Sequence, residues 1–216
     1  MRVRLVPSLA VAAVMLLASS IPSRAQDSTQ RRGWLVLGLG TGLADIACHG
    51  DGCTSGWNVH GPTLLETVGL MLTPHLGVGV GLDQWWRSPS DSEATNTGTV
   101  MLHYYPSVRA GAFVEVGAGL SRAEVRLNGS TVAEGRRWAL MTGAGYEVRV
   151  LRFTRTDGTY DVTLTPRVSY VYSPIGELRY AAGSPPFATG WRHQVLSAGL
   201  GGGLTFRHGC LFRATC

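Results

Sequence analysis

Apolar and polar residues alternate with a period of two along most of the chain. Between residues 160 and 172 the even positions are tyrosine, valine, leucine or proline, whereas the odd positions are polar apart from Val171. This period is typical of a β-strand, in which successive side chains point to opposite faces. Seven further segments show the pattern, although Glu66 interrupts one of them. We therefore predict an all-β chain of eight strands, over residues 35–43, 64–72, 76–86, 98–104, 110–120, 138–150, 160–172 and 192–207.

The polar face of these predicted strands is rich in glycine. Glycine accounts for 29 of the 216 residues, and serine, threonine and single charged residues fill many of the other polar-face positions. A sheet face that meets water normally carries long charged side chains, and glycine weakens a strand. The interior of an eight-stranded barrel is only wide enough for side chains, so small residues suit it. We predict an eight-stranded antiparallel up-and-down transmembrane β-barrel over residues 33–207, polar inside and apolar towards lipid.

The predicted connections alternate between short and long. Residues 73–75, the few residues around Pro106 and residues 154–159 are short, whereas residues 45–63, 87–97, 127–137 and 173–191 are long. Such alternation is typical of periplasmic turns and extracellular loops. Aromatic residues are expected in belts at the two membrane interfaces. The candidates are Trp86, Trp138, Tyr170, Tyr172 and Trp191 on the loop side, and Tyr104, Tyr105 and Phe206 on the turn side.

The N-terminus has the pattern of a secretory signal. Basic residues come first, an uncharged apolar stretch follows, and Ser23 and Ala25 are small residues just before Gln26. We predict a signal peptide over residues 1–25 that is cleaved on export, a short lead over residues 26–32, and a tail over residues 208–216. The apolar stretch is about half the ~20 residues that a membrane-spanning helix needs.

The charge balance argues against a nucleic-acid partner. All 19 basic residues are arginine and 14 residues are acidic, which gives a net charge of +5. Three of the arginines precede residue 26, so the remainder carries only +2. Phosphate binding by nucleic-acid-binding proteins requires a concentrated basic face, which this balance does not supply. The low charged fraction of 15 % and the regular apolar pattern also exclude a disordered chain.

The four cysteines form two close pairs in the sequence. Four cysteines allow three disulfide connectivities, and export permits disulfides. The barrel topology places Cys48 and Cys53 at one end and Cys210 and Cys216 at the other, across an apolar band of ~25 Å. A disulfide needs Cα atoms within about 7 Å, so we predict the local pairs Cys48–Cys53 and Cys210–Cys216.

Several strand segments resemble those of known barrels. They are Tyr104-Tyr105-Pro106 at a tight turn, the run FVEVGAGL over residues 113–120, GAGYEV over residues 143–148, and LTPRVSY over residues 164–170. With these motifs the chain resembles the small outer-membrane β-barrel proteins of the OmpA/OmpX-like kind. The resemblance implies a monomer in the outer membrane of a diderm bacterium, with periplasmic termini. It also implies contact with outer-membrane lipid and lipopolysaccharide, and with the barrel assembly machinery during biogenesis.

The sequence offers little catalytic chemistry. Motifs such as G-x-G-x-x-G, G-x-S-x-G and H-E-x-x-H are absent, and a Walker motif needs a lysine that the chain lacks. Some barrels resembling this one are lipid A hydrolases with a His–Ser–acid group facing lipid, but His103 and His193 fall on the lumen side. We expect no enzymatic activity, no cofactor and no metal. Two alternatives are a lipid A-modifying enzyme and a soluble periplasmic lipocalin-like binder of an apolar ligand.

The leading functional hypothesis is a structural, adhesive or interaction role through the extracellular loops, whose partner the sequence does not identify. The lumen is then closed by packed side chains. Four charged residues near strand centres share inward parity, and we predict that they form a lumen ion-pair network. They are Glu115, Glu147, Arg149 and Arg167.

Overall fold

The computed structural model describes residues 31–49, 57–87, 93–107, 110–127, 130–155, 158–180 and 186–207, and the predicted signal peptide, lead before residue 31 and C-terminal tail lie outside them. The described residues form one antiparallel sheet. Its strands are β1 (Arg31–His49), β2 (Trp57–Met71), β3 (Leu76–Trp86), β4 (Glu93–Tyr104), β5 (Ala112–Leu127), β6 (Ser130–Tyr146), β7 (Val148–Arg155), β8 (Gly158–Tyr180) and β9 (Pro186–Arg207). The same residues contain no helix long and apolar enough to cross a membrane.

The sheet closes on itself as a barrel. β1 pairs with both β2 and β9, and β8 pairs with β9 on one side and with β6 and β7 on the other. β6 and β7 hold the same register against β8, since Gly145 pairs with Arg167 and Val148 with Leu164. They are one barrel strand interrupted at Glu147, whose backbone N–H donates to the carbonyl of Gly111 at 3.0 Å. The prediction of an all-β, eight-stranded up-and-down barrel is therefore confirmed.

The two ends of the barrel differ. The turn end carries the connections at residues 72–75, 105–111 and 156–157, together with the start of β1 and the end of β9. The loop end carries the connections at residues 50–56, 87–92, 128–129 and 181–185. The predicted long loops are wrong in extent, because β1, β2, β4, β5, β6, β8 and β9 all continue into them. Residues 45–49, 57–63 and 173–180, for example, belong to strands.

The apolar face of each strand points outward over the middle of the barrel. The exposed outward side chains include Leu39, Leu70, Val100, Leu120 and Leu200, and Leu120 is 72 % exposed. Contact of apolar side chains with water costs about 25 cal/mol for each Å² of apolar surface, whereas contact with lipid carries no such cost. Glu66 lies on the same outward face, between Leu64 and Val68, which explains why its strand shows the least regular pattern.

The pattern inverts towards the loop end. There the interior is apolar and the outward side chains are charged. The buried apolar residues are Ala44, Ile46, Val59, Trp85, Ala123, Ala133, Ile175, Leu178, Ala188, Trp191 and Val195. A strand that leaves the membrane has water outside and packs like a soluble sheet, with its apolar side chains inside. The strand extensions therefore follow a pattern opposite to that of the membrane-spanning parts.

Two residues predicted for the aromatic belts lie inside the barrel. Trp191 belongs to the apolar interior of the loop end, and Tyr105 is buried at the turn end, where its hydroxyl donates to Glu147 at 3.0 Å. Trp191 points inward because the pattern inverts at the loop end. Tyr105 comes directly after β4 and has the same parity as the inward residues Met101 and His103. On the outer face, Trp138 and Tyr172 pack at 5.9 Å between ring centroids, and Tyr104 is half exposed.

Candidate functional site

An aromatic layer fills the lumen at the turn end. The ring centroids of Trp34 and His103 are 4.6 Å apart, His103 stacks on Phe113 at 5.2 Å, and Phe113 contacts Tyr105 at 5.8 Å. All four side chains are buried, and Trp34 is only 1 % exposed. These rings come from β1, β4, β5 and the turn after β4, so they cross the barrel and close it.

Glycines on the polar face make room for this layer. A Cβ added at Gly69 would collide with Cζ2 and Cη2 of Trp34, and one at Gly77 would lie 2.6 Å from its Cζ3. A Cβ at Gly145 would lie 2.5 Å from Cζ of Phe113. The alternating glycines are thus the inner surface against which large interior side chains pack, as the sequence pattern predicted.

A charged layer lies next to the aromatic one. Nε of Arg167 is 2.5 Å from Oε1 of Glu115, and Nε2 of His103 is 3.0 Å from Oε2 of the same carboxylate. The side chains of Glu115 and Arg167 are 0 % and 4 % exposed. A buried charge requires a partner of opposite charge, because the desolvation of an isolated ion is costly. The pair therefore ties β5 to β8 across the interior.

The structure brings together two of the four residues predicted for the lumen network, Glu115 and Arg167. Glu147 is buried but accepts its hydrogen bond from Tyr105, and Arg149 is only partly buried and forms no ion pair with a described residue. Inward parity identifies the face of a strand, whereas contact also requires the same height in the barrel. Glu147 and Arg149 sit nearer the turn end than the Glu115–Arg167 pair does.

Hydroxyl groups continue the filling of the lumen towards the loop end. Ser169 and Ser197 are joined at 2.7 Å, Ser169 donates to Asp83 at 3.5 Å, and Thr97 contacts Ser121 at 3.0 Å. His193 then packs on Trp85 at 5.1 Å, below the apolar interior of the loop end. The lumen is closed by side chains through the described part of the chain.

His103 and His193 both lie inside, on the lumen side that their parity predicted. They are 3 % and 1 % exposed, and His193 lies 3.1 Å from the hydroxyl of Thr95 through Nδ1. Among the described residues there is no group of three or more His, Cys, Asp or Glu side chains that could hold a metal.

A cleft of about 680 Å³ opens at the loop end, between the ends of β6, β8 and β9. It is lined by Glu134, Gly135, Arg136, Arg137, Ile175, Gly176, Glu177, Arg179, Tyr180, Thr189 and Gly190. The β6–β8 ladder is interrupted here, between the pair Glu134–Arg179 and the pair Leu140–Tyr172. The cleft therefore lies in a break of the barrel wall.

Gly176 lies at this break. Its φ of +85° lies in the left-handed region that favours glycine, and the register of β8 shifts on both sides of it. The guanidinium of Arg137 lies over it, since a Cβ at Gly176 would come within 2.8 Å of Nη1. Consecutive strand residues normally point to opposite faces. At the break, both Arg136 and Arg137 line one cleft.

Some arginines at the cleft have a carboxylate partner within hydrogen-bond distance, and others do not. Arg122 donates to Glu134 through Nε at 3.0 Å, which raises the pKa of its guanidinium, and Arg179 pairs with Glu177 at 2.9 Å. Arg136 reaches Glu134 only at 3.9 Å. Arg137 forms no ion pair within the part of the chain that the structure describes. Two adjacent guanidinium groups thus have hydrogen-bond donors free for a ligand.

The period-two pattern of the sequence does not predict this cleft. Residues 127–137 and 173–191 were predicted as loops, although Gly135-Arg136-Arg137 is an available signal of consecutive cations beside a glycine. The two arginines form a site only together with Gly176, which lies about forty residues later in the sequence and lines the same cleft in the folded barrel.

The comparisons with known proteins concern the fold. Neither the protein-family models nor the curated proteins give a match to this sequence. Among solved structures, Ail, the attachment invasion locus protein of Yersinia pestis, in complex with the heparin analogue sucrose octasulfate, matches with a TM-score of 0.50 and 11 % identity. That match covers 80 % of this chain and 99 % of Ail.

The chain has the fold of a small outer-membrane β-barrel. Neisserial surface protein A also matches, with a TM-score of 0.47 and 18 % identity over 80 % of this chain and 96 % of the other. The resemblance read from the strand motifs is confirmed at the level of fold.

The disulfide pairing stays a prediction. Cys48, near the loop end of β1, is disulfide-bonded, whereas Cys53, Cys210 and Cys216 lie outside the described residues. The loop-end position of Cys48 is compatible with the local pair Cys48–Cys53.

Proposed function

We propose that this protein is a non-conducting outer-membrane barrel that acts through its loop end, in a structural or adhesive interaction at the cell surface. The observation that carries the proposal is the filled lumen, in which aromatic, charged and hydroxyl layers follow one another. Water-filled channels belong to barrels with about twice as many strands. A partner can therefore contact only the outer surface of the barrel. The most distinctive feature of that surface is the cleft lined by arginines.

The two alternatives fit the structure less well. A lipocalin-like binder needs an apolar interior over the middle of the barrel, where this lumen holds Glu115, Arg167 and hydroxyl groups and the leucines point outward. A lipid A-modifying enzyme needs a histidine near lipid, and His103 and His193 are buried inside. The exposed histidines among the described residues are His49, His60 and His75, which lie at the two ends of the barrel. The fold of Ail, which holds a sulfated ligand, gives one example of a small barrel that binds an anion.

Planar-bilayer recording tests whether the barrel conducts. Because the Glu115–Arg167 pair crosses the lumen, we expect the purified protein to give no steady channel openings in 1 M salt. Trp34→Ala is a matched variant that opens the turn end only, and we expect it to stay closed as well. A large porin recorded in the same bilayers gives the positive control. Steady openings from the wild-type protein would contradict the proposal.

Cysteine labelling on intact cells tests which end faces outward. Ser130 is exposed at the loop end and Ser107 at the turn end. We expect Ser130→Cys to react with a membrane-impermeant maleimide on intact cells, and Ser107→Cys to react only after the outer membrane is opened. The two variants carry the same substitution, so they control for reactivity. Labelling of Ser107→Cys alone on intact cells would reverse the orientation on which the proposal depends, and equal labelling of both variants would contradict a single orientation with the loop end outward.

A further inference from the structure

We propose that the cleft between β6, β8 and β9 binds a phosphate group of the outer-leaflet glycolipid, with Arg136 and Arg137 as its donors. This inference rests on the proposed function, because it requires the loop end to lie at the outer surface. It adds a site, two ligand-binding residues and a ligand class to that function.

The first argument is the height of the cleft on the barrel. Along the outward face of β6, Leu140 and Trp138 are half exposed to lipid, and Arg136 is the next outward residue. Two residues of a tilted strand rise about 5 Å along the membrane normal. Trp138 packs on Tyr172 in an outward aromatic pair, and such pairs mark the lipid headgroup level. The cleft therefore begins where lipid phosphates lie.

The second argument is the state of the two guanidinium groups. Arg122 and Arg179 are held by Glu134 and Glu177, but the closest carboxylate to Arg136 is at 3.9 Å and Arg137 has no described ion-pair partner. Arg122 and Arg136 also stand directly opposite each other in the β5–β6 register. Like charges opposite each other destabilise a strand pair. A bound anion would offset this repulsion.

The third argument is the shape of the site. The break at Gly176 lets Arg136 and Arg137 approach one volume from adjacent positions on β6, and Gly135 and Gly176 leave the space beside them open. A planar guanidinium binds phosphate oxygens through paired hydrogen bonds, and two such groups can hold one phosphate from two directions. A lysine at either position would supply only a point charge.

A lipid is favoured over a soluble anion because of what lies below the cleft. The outward surface of β5 and β6 there is Leu120, Trp138 and Leu140, and these side chains would contact the acyl chains of the same molecule. A soluble anion would gain nothing from that surface. A ligand that contacts both the arginines of the cleft and the apolar surface below it must carry a phosphate and a hydrocarbon chain in one molecule.

Native mass spectrometry of the full-length mature protein in detergent, with lipid A as the probe, tests the proposal. We expect Arg136→Gln/Arg137→Gln to bind lipid A at least tenfold more weakly than the wild type, because two charge-assisted contacts are lost. Arg87→Gln/Arg192→Gln removes two other exposed loop-end arginines outside the cleft and is the matched control. It should bind within twofold of the wild type. The heat-modifiable mobility of each variant in SDS shows that its barrel has folded.

Two further probes identify the source of the phosphate. Lipid A stripped of its phosphates should bind the wild type as weakly as intact lipid A binds the double variant. Sucrose octasulfate, a soluble polyanion, should displace lipid A poorly. Equal binding of lipid A to the wild type and the double variant would overturn the proposal, as would equal binding of stripped and intact lipid A. Full displacement by the soluble polyanion at the concentration of lipid A would instead assign the cleft to a soluble anion. None of these results depends on conductance or labelling, so the failure of this inference leaves the proposed function separately testable.

Discussion

Replacing Glu115 with leucine is expected to lower the free energy of unfolding of the barrel by about 3 kcal/mol. The substitution leaves the buried guanidinium of Arg167 without its partner at 2.5 Å and removes the contact of His103 at 3.0 Å. Removing one member of a buried ion pair typically costs about 3–5 kcal/mol, because the other charge stays desolvated. Asp83 is within electrostatic range of Arg167 and compensates in part, which places the expected loss at the lower end.

A double variant separates the cost of a stranded charge from the cost of lost packing. In Glu115→Leu/Arg167→Met both charges are absent, and the new methionine would lie beside Met101, Met141 and Val171, which already form an apolar group in the lumen. Replacing a buried ion pair by apolar side chains of similar volume is often neutral. We therefore expect the double variant to recover most of the stability that the single variant loses.

Urea unfolding in detergent or lipid vesicles, followed by tryptophan fluorescence, measures these differences. Glu147→Leu is the comparison at the turn end. It removes the acceptor of the Tyr105 hydroxyl and leaves the Glu115–Arg167 pair intact, so we expect a smaller effect, about 1–2 kcal/mol. If Glu115→Leu unfolds at the wild-type midpoint, or if the double variant is as unstable as the single one, the ion pair does not stabilise the barrel in the way described.

Replacing Gly69 with valine is expected to prevent normal assembly or to cost more than 3 kcal/mol. The new side chain would occupy the position of the Trp34 ring, and the carbonyl oxygen of Val78 would lie 2.6 Å from its Cβ. Overpacking of an interior commonly costs about 1–3 kcal/mol, and more where neither neighbour can move. Trp34 lies against Gly69, Gly77 and His103 and is 1 % exposed, so a displaced ring would collide with other interior side chains.

Gly202→Val is the matched control. Gly202 is also in a strand, but it faces outward and no atom lies within 4 Å of its added Cβ. A valine there contacts lipid and has a higher strand propensity than glycine, so the midpoint of unfolding should stay the same or rise slightly. The fraction of folded barrel on a semi-native gel and the urea midpoint are compared for both variants. Similar loss in both would mean that strand glycines are needed for backbone conformation rather than for the space they leave around Trp34.

The sequence determined the fold of this protein within the membrane. Leucine and valine on one parity and glycine, serine and threonine on the other predict a barrel with its apolar side outward, and residues 76–86 are a strand with the same bounds in the structure. The reason is local, since lipid and a narrow lumen impose opposite requirements on alternate residues of every strand. The inward faces of Glu115, Arg167, His103 and His193 follow from the same parity.

The extent of the strands beyond the membrane required the tertiary structure. Ile46, Ile175 and Leu178 point inward although the apolar side faces outward lower on the same strands, and the register shifts around Gly176 reset the parity of β8. Water replaces lipid at that height, so the pattern inverts and its period is lost in the sequence. Residues 45–63 and 173–191 therefore resemble loops.

Which inward or outward residues meet depends on the register of the closed barrel. Parity assigns Glu115, Glu147, Arg149 and Arg167 to one face, but the stagger of neighbouring strands sets their heights. It places Glu115 against Arg167, and it places Glu147 nearer the turn end, against Tyr105. Likewise, Arg136 and Arg137 share a cleft at the break in the wall, where Gly176 lies on another strand. The period of two is a property of one strand, whereas contact across a barrel depends on the register of all of them.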